Sequence, residues 1–74
     1  MKFILVISKY HHNIDKELVI DEYTWINVNT IAKIGKAYPN GPITMIRTTL
    51  GDTYYYDGTQ TSLVLRVEER LEHA

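Results

Sequence analysis

One segment of the chain has the periodicity of a helix, and it lies near the C-terminal end, in residues 62–73 (SLVLRVEERLEH). On a wheel of about 3.6 residues per turn its apolar side chains form a single stripe. The stripe consists of Leu63, Val64, Val67 and Leu71. Thr59 or Thr61 can cap the start of the helix, because a threonine hydroxyl accepts a hydrogen bond from an unpaired backbone N–H. The rest of the chain must supply the surface on which this stripe packs.

The residues before the helix are rich in β-branched and aromatic side chains, which favour strands. Residues 2–9 (KFILVISK) predict a strand buried on both faces, and residues 10–16 (YHHNIDK) predict an exposed loop. A second extended segment follows, with a bulge expected at the acidic pair Asp21-Glu22. Beyond the bulge, alternate residues from 23 to 27 share one face, and these are Tyr23, Trp25 and Asn27.

Two more strands are expected after a brief turn at residues 27–30, at about 31–38 and 43–50. The residues between them (PNGP, 39–42) are a strong turn signal. A further turn leads into the tyrosine run at 54–56. The chain therefore predicts an α+β fold, an antiparallel meander of four or five strands with one C-terminal helix packed on the sheet, in a single small domain spanning residues 1–74.

The tyrosine run, Tyr54, Tyr55 and Tyr56, is split between the two faces of its strand by alternation. A two-residue hairpin turn places Tyr55 in the core and leaves Tyr54 and Tyr56 beside Arg47 at the surface. A three-residue loop with a bulge would reverse this assignment, since one residue of slip exchanges the faces. Trp25 is expected in the core, because a core this small can rarely leave its largest side chain exposed. The alternative is a position in an interface, where aromatic side chains with a polar group are enriched.

Composition excludes several classes of protein. The chain has no cysteine, so it has no disulfide framework or thiolate metal site, and a reducing, cytoplasmic location is expected. Its formal net charge of −1 disfavours a dedicated nucleic-acid binder, which normally has a basic patch. The apolar run at residues 3–7 is too short for a signal peptide, and no run approaches the roughly 20 apolar residues that cross a bilayer. We expect a soluble protein with no membrane partner.

Histidine and acidic residues come close together at one place, in His11, His12, Asp15 and Glu17. Adjacent histidines on an extended chain point to opposite faces, which suits a shared metal poorly, and no metal-ligand spacing occurs. A solvated loop is the favoured interpretation. We predict no catalytic residue, no metal and no cofactor, and hence a protein that is not an enzyme.

Residues 25–34 (WINVNTIAKI), followed by a hairpin segment (IRTTLGDTYYY) and a terminal helix, resemble the small FlbD-like proteins. The resemblance covers Trp25 to Leu71 and implies a small regulatory or interaction protein without enzymatic activity. The same order is similar to the second half of LytTR DNA-binding domains. Those domains continue into a basic and aromatic segment that helps to contact DNA, and this chain does not, so DNA contact of that kind is not expected.

In size and in its lack of catalytic motifs, the chain also resembles phage-encoded regulators that bind RNA polymerase. We therefore predict a non-enzymatic protein-interaction module, a small transcription regulator whose partner is a protein such as RNA polymerase. The alternative is direct nucleic-acid binding through Arg47 and its flanking tyrosines. The predicted partner-binding residues are Lys9, Tyr10, His11, His12, Arg47, Tyr54, Tyr56 and Leu65.

Overall fold

The computed structural model describes residues 2–36 and 43–72. These residues form five antiparallel strands, one turn of 3-10 helix and one α-helix. The bounds are β1 Phe3–His12, β2 Leu18–Asn27, the 3-10 turn Val28–Thr30, β3 Ile31–Lys36, β4 Ile43–Thr48, β5 Thr53–Asp57 and α1 Gln60–Glu72. The predicted α+β fold, with five strands and one C-terminal helix packed on the sheet, is confirmed.

The sheet is strongly curled, because its two edge strands follow one another in the chain. The strand order is β2-β1-β5-β4-β3, so β2 and β3 lie at opposite edges, yet the three-residue turn Val28–Thr30 alone joins them. Four inter-strand spacings of a flat sheet span roughly 19 Å, whereas the peptide steps across this turn reach at most about 14 Å. The two edges must therefore approach each other. Backbone bonds hold the turn in place, as Val28 N–H donates to the Lys2 carbonyl and Thr49 N–H donates to the Thr30 carbonyl, both at 2.8 Å.

β1 and β2 form a long hairpin whose register shifts in the middle. The pairing is regular from Phe3–Asn27 to Ile7–Tyr23, shifts around Lys9–Glu22, and resumes at Tyr10–Ile20. The bulge predicted at the acidic pair is confirmed by this shift. Pairing then continues to His12, so the predicted loop at residues 10–16 is wrong over its first three residues. They belong to β1 because the apolar strand segment of residues 18–20 pairs with them.

The hairpin between β4 and β5 has a three-residue loop, not the two-residue turn that the predicted faces assumed. Thr48 N–H donates to the Asp52 carbonyl at 2.9 Å, and Gly51 N–H donates to the Thr48 carbonyl at 3.0 Å. Gly51 has φ of 89°, in the left-handed region that a three-residue loop needs at its last position. The register that follows pairs Tyr54 with Ile46.

The tyrosine faces are therefore reversed from the expected assignment. Tyr54 and Tyr56 are half-buried and pack against the core, whereas Tyr55 lies opposite Met45 on the other face. The prediction that Tyr54 and Tyr56 flank Arg47 at the surface is wrong, because the loop has one residue more than assumed and alternation exchanges the faces.

The main core lies on one face of the sheet, which we call the inner face, and α1 covers it. Its buried members come from β1, β2, the 3-10 turn, β4 and α1, and they are Ile4, Val6, Ile26, Val28, Ile46 and Leu63. The buried polar side chains nearby have hydrogen-bond partners. Thr44 Oγ1 donates to the Gly58 carbonyl at 2.8 Å, and Thr48 Oγ1 accepts from Asp52 N–H at 3.1 Å.

Of the two candidate caps, Thr59 is the one that starts α1. Its Oγ1 accepts from Ser62 N–H at 3.1 Å. The predicted stripe is anchored by Leu63, which is buried, and by Val67, which packs on the core, while Val64 and Leu71 at its margin remain partly exposed.

On the opposite, outer face two expectations are wrong. Trp25 is 58% exposed and not in the core, because α1 covers only the inner face. The strand at residues 2–9 is buried on both faces only around Val6 and Ile7. At its start Phe3 and Leu5 alternate outward and are exposed. The strand expected at 31–38 is seen as β3 up to Lys36, and the turn expected at residues 39–42 lies outside the described residues.

Candidate functional site

Four large apolar side chains lie together on the outer face of β1 and β2. Leu5 is directly opposite Trp25, and Phe3 and Tyr23 continue the same face at alternate positions of their strands. Their exposed fractions are 39% for Phe3, 43% for Leu5, 50% for Tyr23 and 58% for Trp25. Single exposed apolar residues are normal, but a contiguous group of this size is typical of an interaction surface. We call these four residues the apolar patch.

A pocket of about 300 Å³ adjoins the apolar patch where α1 meets the sheet. It is lined by Ile4, Leu5, Trp25, Tyr56, Arg66 and Arg70. The two arginines are four residues apart on α1, so they lie on the same side of the helix. Neither forms an ion pair with an acidic residue in the described part of the chain. We call this cavity the arginine pocket.

Arg70 has a further unusual feature, because its Nε is buried and has no hydrogen-bond partner among the described residues. A buried donor without an acceptor is costly, and more so when it belongs to a charged group. The opposite wall of the pocket supplies an exposed indole and an aliphatic side chain, from Trp25 and Leu5. One wall of the arginine pocket is therefore cationic and includes the unpartnered Arg70 Nε, and the opposite wall is apolar.

A separate shallow cleft lies farther along the β1–β2 hairpin, beyond the bulge. Tyr10 packs edge-on against Tyr55, with ring centroids 4.8 Å apart, and against His12, at 5.9 Å. His11 Nδ1 lies 2.8 Å from Asp21 Oδ2, which ties the two strands together at their surface. Aromatic side chains therefore cover the outer face beside Ile7. Ile7 is buried and is paired with Tyr55 on the neighbouring strand.

The predicted partner-binding residues do not form one site. Lys9, Tyr10, His11 and His12 all line the hairpin cleft. The other four are spread over the molecule: Arg47 is exposed opposite Lys33, Tyr54 and Tyr56 pack on the inner side, and Leu65 is exposed on α1.

The sequence interpretation missed Phe3, Leu5, Arg66 and Arg70. A signal for the first two was present, because a strand that is apolar on both faces needs two covering layers and the chain predicts one helix. The arginines are spaced by four residues beside the apolar stripe, but only the tertiary structure brings them to Trp25.

No group of three or more histidine, aspartate or glutamate side chains is placed to hold a metal ion within residues 2–36 and 43–72. Over the same ranges, no helix has both the length and the apolar character that a membrane span requires.

Comparison with known proteins yields no matching family model, no similar curated protein and no similar solved structure. The resemblances to FlbD-like proteins, to LytTR domains and to phage-encoded regulators stay predictions.

Proposed function

We propose that the protein is a non-enzymatic protein-interaction module that docks a partner through the apolar patch. The observation that supports this proposal is the grouping of Phe3, Leu5, Tyr23 and Trp25 on one face of two paired strands, each at least 39% exposed. Tryptophan, tyrosine and arginine are the side chains that most often dominate the binding free energy of protein interfaces. The patch places two of these residue types side by side and has the third at its border.

The charges at the Tyr23 end of the patch favour a protein over a nucleic acid. None of the four patch residues is cationic, and the bulge beside Tyr23 carries Asp21 and Glu22, both exposed. Phosphate groups would be repelled there, whereas nucleic-acid binders use clustered Lys and Arg. The alternative of direct nucleic-acid binding retains the exposed Arg47, but it loses Tyr54 and Tyr56, which pack on the inner side.

The more specific proposal is a small cytoplasmic transcription regulator whose protein partner is RNA polymerase. It is supported by the resemblance of residues 25–71 to FlbD-like proteins and by the likeness in size to phage-encoded regulators. The apolar patch supports the general class, a protein partner.

The test is an affinity capture from host lysate with quantitative mass spectrometry, using three baits. The wild-type bait is compared with a Tyr23→Thr/Trp25→Thr variant, which keeps residues suited to a strand, and with Ile14→Thr. Ile14 is 97% exposed at the tip of the β1–β2 hairpin and serves as a matched control for removing an exposed apolar side chain. We expect a protein retained by the wild type and by Ile14→Thr and lost from the double variant. Retention of no specific protein, or equal retention by all three baits, would contradict the proposal.

Two titrations refine the result. Binding to purified RNA polymerase tests the specific partner. Fluorescence anisotropy with DNA and RNA at two salt concentrations tests the alternative, because phosphate contacts make affinity fall steeply with salt. Salt-sensitive binding tighter than about 1 μM would favour nucleic acid over a protein partner.

A further inference from the structure

The arginine pocket has the chemistry of a receptor for a carboxylate. Arg66 and Arg70 form one wall, and neither is paired with an acidic residue in the described part of the chain. A guanidinium presents its donors in a planar fork that matches the two oxygens of a carboxylate. The buried Nε of Arg70 is a donor that already lacks an acceptor. An incoming carboxylate can reach the accessible parts of the two guanidinium groups, since Arg66 is exposed and Arg70 half-buried, and it displaces no acidic partner among the described residues.

The apolar side of the pocket limits what can accompany that carboxylate. Trp25 and Leu5 border the cavity and are both substantially exposed, so a partner group that covers them gains from removing apolar surface from water. At about 300 Å³ the cavity is at the small end of the range for ligand pockets, which is about 300–1,000 Å³. It suits individual side chains of a docked segment and not a large cofactor.

We propose that the arginine pocket binds an aspartate or glutamate side chain of a protein partner, with a neighbouring aliphatic or aromatic side chain of the same segment packed on Trp25 and Leu5. This inference rests on the proposed function, since it specifies the chemistry of the segment that the interaction module docks. Charge complementarity selects the acidic residue, and the exposed indole selects its apolar neighbour.

The experiment selects binders of the full chain from a displayed library of random peptides and measures the affinity of the best peptides, synthesised with blocked termini. We expect the enriched sequences to place an acidic residue next to a large apolar one. The Arg66→Gln/Arg70→Gln variant should bind these peptides about tenfold or more weakly, because charge-assisted hydrogen bonds are lost. Arg66→Lys/Arg70→Lys keeps the charge but not the fork, and it should recover only part of the affinity.

The matched control is Lys33→Gln/Lys36→Gln, which removes the same charge from exposed positions of β3. It should change affinity by less than about twofold, because neither lysine lines the arginine pocket and exposed charges are screened by salt. Circular dichroism and thermal unfolding show whether each variant is folded. Equal weakening by the arginine and lysine variants, an absence of acidic residues from the enriched peptides, or the selection of no peptide would overturn the inference.

Two further outcomes separate the inference from the proposed function. If Trp25→Thr abolishes peptide binding while Arg66→Gln/Arg70→Gln has no effect, the carboxylate receptor is wrong and the interaction module stands. If neither variant affects peptides that do bind, the carboxylate receptor and the interaction module are both wrong.

Sedimentation of the free protein tests a second copy of the chain as the occupant, and a dimer that the arginine variant dissociates would overturn the assignment to a separate partner. Titration with inorganic phosphate tests a free anion, and saturable binding in the pocket tighter than that of the peptides would overturn it as well.

Discussion

The inner and outer faces of the sheet are built from the same strands but differ in how far other parts of the chain cover them. On β1, Ile4 and Val6 point inward and are buried under α1, while Phe3 and Leu5 point outward and remain substantially exposed. One helix of 13 residues can cover one face. The four side chains of the apolar patch lie outside the main core, so we assign stability chiefly to the inner face and binding to the patch.

The substitution with the largest expected loss of stability lies in the core on the inner face. Leu63 is fully buried beneath the sheet, so Leu63→Ala should lower the free energy of unfolding by about 2–5 kcal/mol, through lost burial and the cavity left behind. Urea unfolding followed by circular dichroism measures this change. A small domain has little stability to lose, and partial unfolding without denaturant is an acceptable form of the same result. A loss below about 1 kcal/mol would contradict the assignment of stability to the inner face.

The next largest loss of stability is expected in the β4–β5 loop, whose length determines the face on which each tyrosine lies. Gly51 has φ of 89°, a conformation that costs a residue with a Cβ about 1–2 kcal/mol. Gly51→Ala should therefore destabilise the protein by about that amount in urea unfolding. Gly51→Asn should cost less, because asparagine tolerates the left-handed region. Equal stability of glycine and alanine here would argue against the three-residue loop, and so against the placement of Tyr54 on the inner face.

A smaller effect tests how the covering helix begins. Thr59→Ala removes the side-chain acceptor for Ser62 N–H and should cost about 1 kcal/mol. Thr61→Ala is the matched control at the other candidate cap, and alanine within the first turn should be neutral or slightly stabilising. Thermal unfolding of the pair decides between them. If the two variants lost equal stability, Thr59 would not be the cap.

The smallest change in stability is expected at Trp25, although its side chain is the largest in the protein. Trp25→Thr on the outer face should change the free energy of unfolding by less than about 1 kcal/mol, as expected for exposed positions away from the core, although it should abolish partner binding. Chemical denaturation measures the first and the capture experiment measures the second. A destabilisation comparable to that of Leu63→Ala would show that the outer face contributes to the fold as much as the inner face.

Most of the fold follows from local signals in the sequence. The strands, the bulge at Asp21-Glu22, the threonine cap and the terminal helix depend on neighbouring residues, and each is found in the structure. The faces of the tyrosines depend instead on the length of one loop. A single additional residue moved Tyr54 inward and Tyr55 outward.

The candidate site was the least predictable part, because it depends on tertiary arrangement. Trp25 is exposed because the one helix covers the other face, which no feature near Trp25 indicates. Arg66 and Arg70 become a pocket wall only when α1 lies beside the end of β1. The curl of the sheet likewise depends on β2 and β3 being its two edges, which the spacing of the strands along the chain leaves open.

The proposed function requires that the apolar patch is exposed in the free protein and becomes covered in a complex. Trp25 is the single tryptophan of the chain, so its fluorescence reports on the apolar patch. The most direct measurement is acrylamide quenching of this fluorescence, in the free protein and after addition of the captured partner. We expect efficient quenching in the free protein and strong protection in the complex. Weak quenching in the free protein, or equal quenching in both states, would contradict this expectation.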